Sequence, residues 1–138
     1  MASSVAAIGI AFAFAQLRVS RSIAQAQFED GLAKEYRELA SGIPTKGLLG
    51  EALTDEEYKA TFDEFFRYMD LSNEQIALRK RGRVGAEAWQ SWKEGIQSNL
   101  GLPSFARAWA DIQARSQNFS ELRRLERERY AEDPRSWH

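Results

Sequence analysis

The stretch Val5-Ala6-Ala7-Ile8-Gly9-Ile10-Ala11-Phe12-Ala13-Phe14-Ala15-Gln16-Leu17-Arg18-Val19-Ser20-Arg21 decides the architecture. From Met1 to Leu17 no side chain is charged, and Arg18 and Arg21 follow at once. Apolar residues fall on every side of a helix drawn through this run, so it is not amphipathic, and such a helix must be covered by protein or by lipid. Three readings compete. A secretory signal places its positive charge before the apolar run and a small-residue cleavage site after it, and here the order is reversed. A buried helix of a soluble protein accommodates the shortness of the run, because a span needs about 20 apolar residues. A membrane anchor fits best. A helix over residues 1–17 reaches about 25 Å at 1.5 Å per residue, and arginine snorkelling with local bilayer thinning closes the gap to about 30 Å. Arg18 and Arg21 then lie on the cytoplasmic side, with the N-terminus outside.

The run is also rich in small residues. Ala7, Ala11 and Ala15 are spaced by four, as are Gly9 and Ala13. Small residues at that spacing allow close approach of a second helix within a membrane, although alanine is also simply frequent in weak spans.

Outward from this run the pattern is helical throughout. Ile23, Ala24, Phe28, Leu32, Tyr36 and Leu39 recur at steps of three and four, so the anchor is expected to run straight into the first helix of the domain. Ser41-Gly42-Ile43-Pro44 stops it. Residues 46–52 read as a connector that sets Leu48 and Leu49 on the core. Thr54-Asp55-Glu56-Glu57 is a capping box. It opens a helix burying Tyr58, Phe62, Phe65, Met69 and Ile76. Ser72-Asn73-Glu74-Gln75 has a second box-like spacing, which predicts a break near Leu71, and Gly82 ends the segment. A third helix over 86–100 carries Trp89, Trp92, Ile96 and Leu100 on one side. After Gly101-Leu102-Pro103 a fourth carries Phe105, Trp109 and Ile112. Asn118-Phe119-Ser120-Glu121 opens a last one with Leu122 and Leu125, closed by Asp133-Pro134. No segment has the two-residue period of a strand.

The chain has 138 residues, enough for one core, and a net charge of −1, so no global field favours nucleic acid. There is no cysteine, which excludes a disulfide framework, a thiolate metal site and a cysteine nucleophile. The single histidine is His138, in a place that holds a general base poorly. Asp55, Glu56, Glu57, Asp63, Glu64, Asp70 and Glu74 form an acidic run without the Glu-x-x-His pattern of a di-metal site, and read as a solvated face near a helix N-terminus. Arg79, Lys80, Arg81 and Arg83 read as cations at the C-terminal end of that helix, or as groups that meet anionic headgroups. Trp89, Trp92 and Trp109 read as core. Trp137 stands on a tail that reads as loose, as a contact for the domain or for a partner. No phosphate loop, Gly-x-Ser-x-Gly or kinase signature is present.

Gln16-Leu17-Arg18-x-Ser20-Arg21 and Gln25-Ala26-Gln27-Phe28 resemble the start of uncharacterised bacterial single-pass proteins with helical cytoplasmic domains. Glu35-Tyr36-Arg37, Tyr68-Met69-Asp70-Leu71-Ser72-Asn73-Glu74-Gln75, Trp89-x-x-Trp92-x-x-Gly95-Ile96 and Phe105-x-x-Ala108-Trp109 resemble the same kind of protein. The resemblance implies a topology and carries no activity.

The expectation is therefore an all-α chain: an anchor over 1–17, a cytoplasmic bundle of about five helices over 18–132, and a tail over 133–138. Its expected place is the cell inner membrane. Its expected partners are the membrane and other membrane subunits or a second copy, met through Ala7, Gly9, Ala11, Ala13 and Ala15, and not nucleic acid. Arg18, Arg21, Arg79, Lys80, Arg81 and Arg83 are expected at the membrane surface. No catalytic residue, metal ligand or cofactor is singled out. The expected role is an interaction or accessory subunit. The alternatives are a soluble or peripheral regulator with its first helix buried in an oligomer, and, with least support, a carboxylate enzyme.

Overall fold

A computed structural model describes residues 2–138, with side chains described from residue 6 onward. Six α-helices follow one another: α1 (Ala2–Ala40), α2 (Thr45–Leu48), α3 (Asp55–Lys80), α4 (Ala86–Leu100), α5 (Pro103–Arg115) and α6 (Ser120–Arg127), with a closing 3-10 turn at Pro134–Ser136. No strand occurs among the described residues.

The first helix runs unbroken for 39 residues, about 58 Å at the rise of an α-helix. Only its second half touches the rest of the chain. Residues 6–24 are exposed, and burial begins at Gln25 and deepens at Leu32 and Leu39. The apolar run and the domain are thus parts of one rod.

α3 is the spine against which α1, α4, α5, α6 and the closing turn all pack. Its buried positions Tyr58, Thr61, Phe65, Tyr68, Met69, Ser72 and Ile76 recur at steps of three and four and point into the core. Phe105 of α5 wedges edge-on between Phe65 and Tyr68, with ring centroids 5.0 Å from each. α3 runs antiparallel to α1. Tyr36 meets Tyr68 at 5.8 Å between ring centroids, and a Cβ at Gly42 would lie 2.9 Å from Cγ of Glu64.

Both ends of α3 carry the predicted signals. Thr54 Oγ1 accepts the Glu57 N–H at 3.2 Å, and Glu57 Oε1 accepts the Thr54 N–H at 2.9 Å. Lys46 also reaches Glu57 at 2.6 Å. The hydrogen bond from Lys46, followed by that from the Thr54 backbone, holds the Glu57 carboxyl down at about 2. At the other end Arg83 N–H reaches Leu78 O at 2.9 Å and Gly82 N–H reaches Arg79 O at 3.0 Å, around Gly82 at φ +74. This is a Schellman closure, in which the left-handed residue is most cheaply glycine.

Four expectations are corrected. α3 does not break near Leu71. Ser72 faces the core, and Asn73 Oδ1 accepts the N–H groups of Glu121 and Leu122 at 3.0 Å each. Asn73 therefore caps α6 across the core instead of helping to start a helix of its own. Residues 45–48 form a short helix, and Leu49 just beyond it is 77% exposed, so only Leu48 of that pair packs on the core. α6 ends at Arg127, well before Asp133-Pro134. Arg129 N–H bonds to Glu126 O and Tyr130 N–H to Leu125 O, both at 2.9 Å, with Arg129 at φ 57 in the left-handed place. The tail is not loose either. Pro134 is fully buried and Trp137 is 6% exposed, with the Arg124 guanidinium 4.3 Å from its ring centroid.

Two outcomes follow for stability. Trp137→Ala should destabilise the domain by about 3 kcal/mol, toward the low end for a buried tryptophan because its indole N–H is buried without a hydrogen-bond partner. Arg129→Gly should stabilise it by about 1 kcal/mol, by removing the left-handed strain of a non-glycine residue. Urea unfolding of both variants in the same detergent measures each difference.

Candidate functional site

Two features of this fold stand apart from the packed core. One is the free half of α1. Ile8, Ile10, Phe12, Phe14, Leu17, Val19 and Ile23 are each between 52 and 71% exposed. At 100° per residue, Ile8, Phe12, Val19 and Ile23 share one side, and Ile10, Phe14 and Leu17 the opposite one. Small residues fill the two faces between them, Ala7, Ala11 and Ala15 on one and Gly9 and Ala13 on the other. All five small residues are exposed, and around Gly9 nothing lies within 4 Å of a built Cβ. Within α1 the described part Ala6–Ala40 contains an 18-residue window of mean hydropathy 1.2 in which no residue is buried. A single helix of the described residues is long and apolar enough to cross a membrane.

The second feature is the shoulder where α1 enters the domain. Because α3 returns antiparallel to α1, its C-terminal loop, residues 81–85, arrives beside Gln25 and Glu29. Glu29 Oε1 accepts the Gly85 N–H at 3.0 Å and a hydrogen bond from Gln25 Nε2 at 3.1 Å, fastening the loop to α1. Arg21, Ala24, Gln25, Phe28, Gly82 and Arg83 line an open corner of about 410 Å³ there. The six cations expected at a membrane surface divide between two fates. Arg18, Arg21, Arg81 and Arg83 are exposed at this end. Arg79 and Lys80 are not free. The Arg79 guanidinium is largely buried, donates to both Asp133 oxygens at 2.9 and 2.7 Å, and donates to Val84 O at 2.9 Å. Lys80 pairs with Glu121 at 3.5 Å. The physical reason is that the last turn of α3 still faces the C-terminal segment, and only the loop beyond it reaches solvent. Arg79 thus serves as a tie, and Asp133 is held below the usual carboxylate range chiefly by its hydrogen bonds from Arg79.

Two groups at the shoulder escaped the sequence reading. Asp133 Oδ1 also accepts the Arg135 N–H at 3.0 Å. This orients the turn so that the Arg135 guanidinium carbon lies 2.6 Å from where a Gly82 Cβ would be. Glu29, itself steadied by Gln25, holds Gly85 from the α1 side. Neither pairing has a local sequence signal, since each joins distant segments.

A second concavity of about 490 Å³ lies between α1, α3 and α4, lined among others by Tyr36, Arg37, Tyr68, Gln75, Trp92 and Asn99. Asn99 Nδ2 donates to Tyr36 Oη at 3.3 Å and to Tyr68 Oη at 3.1 Å. Trp92, expected as core, is only partly buried and lines this cleft, whereas Trp89 and Trp109 are core. Burial pushes the Tyr68 phenol up from its ordinary value, so it stays a neutral hydrogen-bonding group. The acidic run does not converge. Asp55 pairs with Arg107 at 3.0 Å and Glu57 with Lys46. Among the described residues no group of three or more acidic or histidine side chains could hold a metal ion. Trp137, taken as a contact for the domain or a partner, is spent on the domain.

Comparison with known proteins found no matching family model, no matching curated protein and no matching solved structure.

The Arg79–Asp133 tie has a pH signature. The folded state holds Asp133 below its unfolded value, so the tie contributes fully above the ordinary carboxylate pKa of about 4 and is lost as pH falls below it. Asp133→Asn should cost about 1 kcal/mol at pH 7, discounted for the solvent exposure of the carboxylate, and the cost should shrink steadily as pH falls below about 4 in parallel denaturation curves of variant and parent.

Proposed function

We propose that this chain is a single-pass membrane protein of the cell inner membrane, with α1 as the span and the helical domain on the cytoplasmic side. On this reading it acts as a non-enzymatic accessory or interaction subunit of a larger membrane assembly. The observation that carries the reading is the exposure of seven large apolar side chains on opposite sides of the free half of α1. Covering them is worth roughly 10–20 kcal/mol at 1.5–3 kcal/mol per side chain, comparable to the whole stability of a domain. A one-sided stripe would suit a groove on a single partner, whereas apolar surface on opposite sides suits lipid. Arg18 and Arg21 close the run on the domain side, which sets the orientation by the excess of cations in cytoplasmic segments. The likeness of the sequence to bacterial single-pass proteins points the same way.

The accessory role rests on what the domain offers. Asp55 and Glu57 serve in an ion pair and a cap, and the cleft presents aromatic faces, amides and phenols beside Arg37. The hydroxyl that meets a carboxylate across the bundle, Tyr58 on Asp111, is a phenol whose pKa is pushed up, first by burial, so that it stays neutral. The small-residue faces of α1 leave room for a neighbouring span.

Because the chain has no cysteine, single introduced cysteines report cleanly on topology. Lys59→Cys in the exposed start of α3 should react with a membrane-impermeant maleimide only after the cells are broken. The chain should stay with the membrane pellet through an alkaline carbonate wash. Recovery in the supernatant overturns the span, and labelling of that variant in intact spheroplasts overturns the orientation.

A further inference from the structure

The shoulder combines features that a solvated basic patch lacks. Along α1, Ile10, Phe14, Leu17, Arg21, Ala24 and Phe28 follow at alternating steps of four and three, so they form one continuous ridge on one face of the helix. The upper half of that ridge is exposed apolar surface, and the lower half is the wall of the corner at the α3–α4 loop. Arg21 marks the change. The corner lies between about 5 and 15 Å below Arg18, at 1.5 Å per residue, which spans the depth of a headgroup layer and its aqueous edge.

Two guanidinium groups line the corner, and a third lies against Gly82, one of its walls. Arg21 comes from α1, Arg83 from the loop, and Arg135 from the C-terminal turn, where it lies against Gly82. The backbone that carries two of them is fixed. Gly85 N–H is bonded to Glu29, Arg79 holds Asp133, and Asp133 accepts the Arg135 backbone N–H. Of the nearby carboxylates, Asp133 is paired with the Arg79 cation, and Glu29 Oε1 accepts the neutral N–H groups of Gly85 and Gln25 and keeps its charge. The left-handed backbone at Gly82 calls for glycine, and the exposed Arg135 guanidinium occupies the space that a side chain there would take.

Resting on the reading that α1 spans the membrane, we propose that this corner is a binding site for the phosphate of an anionic phospholipid, held by Arg21, Arg83 and Arg135. The lipid's acyl chain lies along the Ile10–Phe14–Leu17 ridge above it. Guanidinium groups suit the phosphate oxygens through paired N–H donors. An uncharged-overall headgroup such as phosphocholine brings a cation into the same corner and is disfavoured. Arg79 is a positioning residue here, since it acts on the site only through Asp133 and Arg135.

The test uses the full chain reconstituted in vesicles, with trace spin-labelled phosphatidylglycerol or phosphatidylcholine and the motionally restricted lipid signal as the readout. The parent should select phosphatidylglycerol by about five-fold or more, the factor that one cationic contact of about 1 kcal/mol supplies. Arg21→Gln/Arg83→Gln/Arg135→Gln should bring the two lipids to parity. Lys34→Gln/Lys59→Gln/Arg67→Gln, which removes the same charge from exposed positions of the far half of the domain, should keep the selection. Inorganic phosphate at about 10 mM, roughly a hundredfold excess over protein, should leave it unchanged. Parity in the parent, selection retained in the first triple variant, or equal loss in both variants overturns the site. Loss of selection with inorganic phosphate assigns the corner to the free anion and overturns the lipid. If the site fails while the chain still resists carbonate extraction, the span stands; a chain that washes off the vesicles removes both.

Discussion

The constraint on which the structure depends is that α1 is one uninterrupted helix, half packed on the domain and half free of it. From Gln25 onward it is bound to the domain through Leu32, Tyr36 and Leu39, and before Gln25 it projects free with apolar side chains on opposite sides. No glycine–proline pair or loop separates the halves. A rod of this kind cannot fold its free half back on the core. Whatever covers that half also fixes the orientation of the domain, and so decides which loops of the bundle face the covering phase.

From that constraint the polarity of α3 takes on meaning. α3 starts with Asp55, Glu56 and Glu57 at the end farthest from the free half of α1 and returns to finish with Arg79 and Lys80. Acidic and basic ends complement its own dipole, and this suffices to explain their presence. The exposed cations differ in where their side chains go. Arg81 is the C-cap of α3 and Arg83 follows two residues on, so both stand at the negative end of the helix with their side chains in solvent, and Arg135 arrives from another segment. The dipole favours the whole basic run, and the packing of the C-terminal segment decides which of its members are tied down. A run of four basic residues that looks uniform in sequence is thereby two structural ties and two solvent-facing groups.

Much of the helical layout was legible in the sequence because its signals are local. The capping box at Thr54, the glycine at the end of α3, and the stripes through Phe65, Ile96, Phe105 and Leu122 are set by residues within one or two turns of each other. The misreadings have a common cause, which is a local pattern put to a distant use. Asn73 looked like part of a new helix start, and it caps α6 from across the core. The end of α6 carries no glycine, so a Schellman closure around Arg129 left no trace in composition. Trp137 sat beyond a proline, and the Arg79–Asp133 tie that anchors its segment joins residues no short window contains. The same holds for the site. The apolar run and its flanking arginines could be read directly, whereas the meeting of Arg21 with Arg83 required the antiparallel return of α3.

The central claim is that lipid surrounds the free half of α1. Single spin labels placed in turn at residues 8 through 23 test it most directly, through accessibility to oxygen against accessibility to a water-soluble paramagnetic reagent. A lipid-covered helix predicts high oxygen and low reagent accessibility on every side from residue 8 to residue 17, with a change to water exposure by residue 21. Accessibility to both agents that oscillates with the helical period, and falls on one continuous face, would contradict it and place that half of α1 against protein.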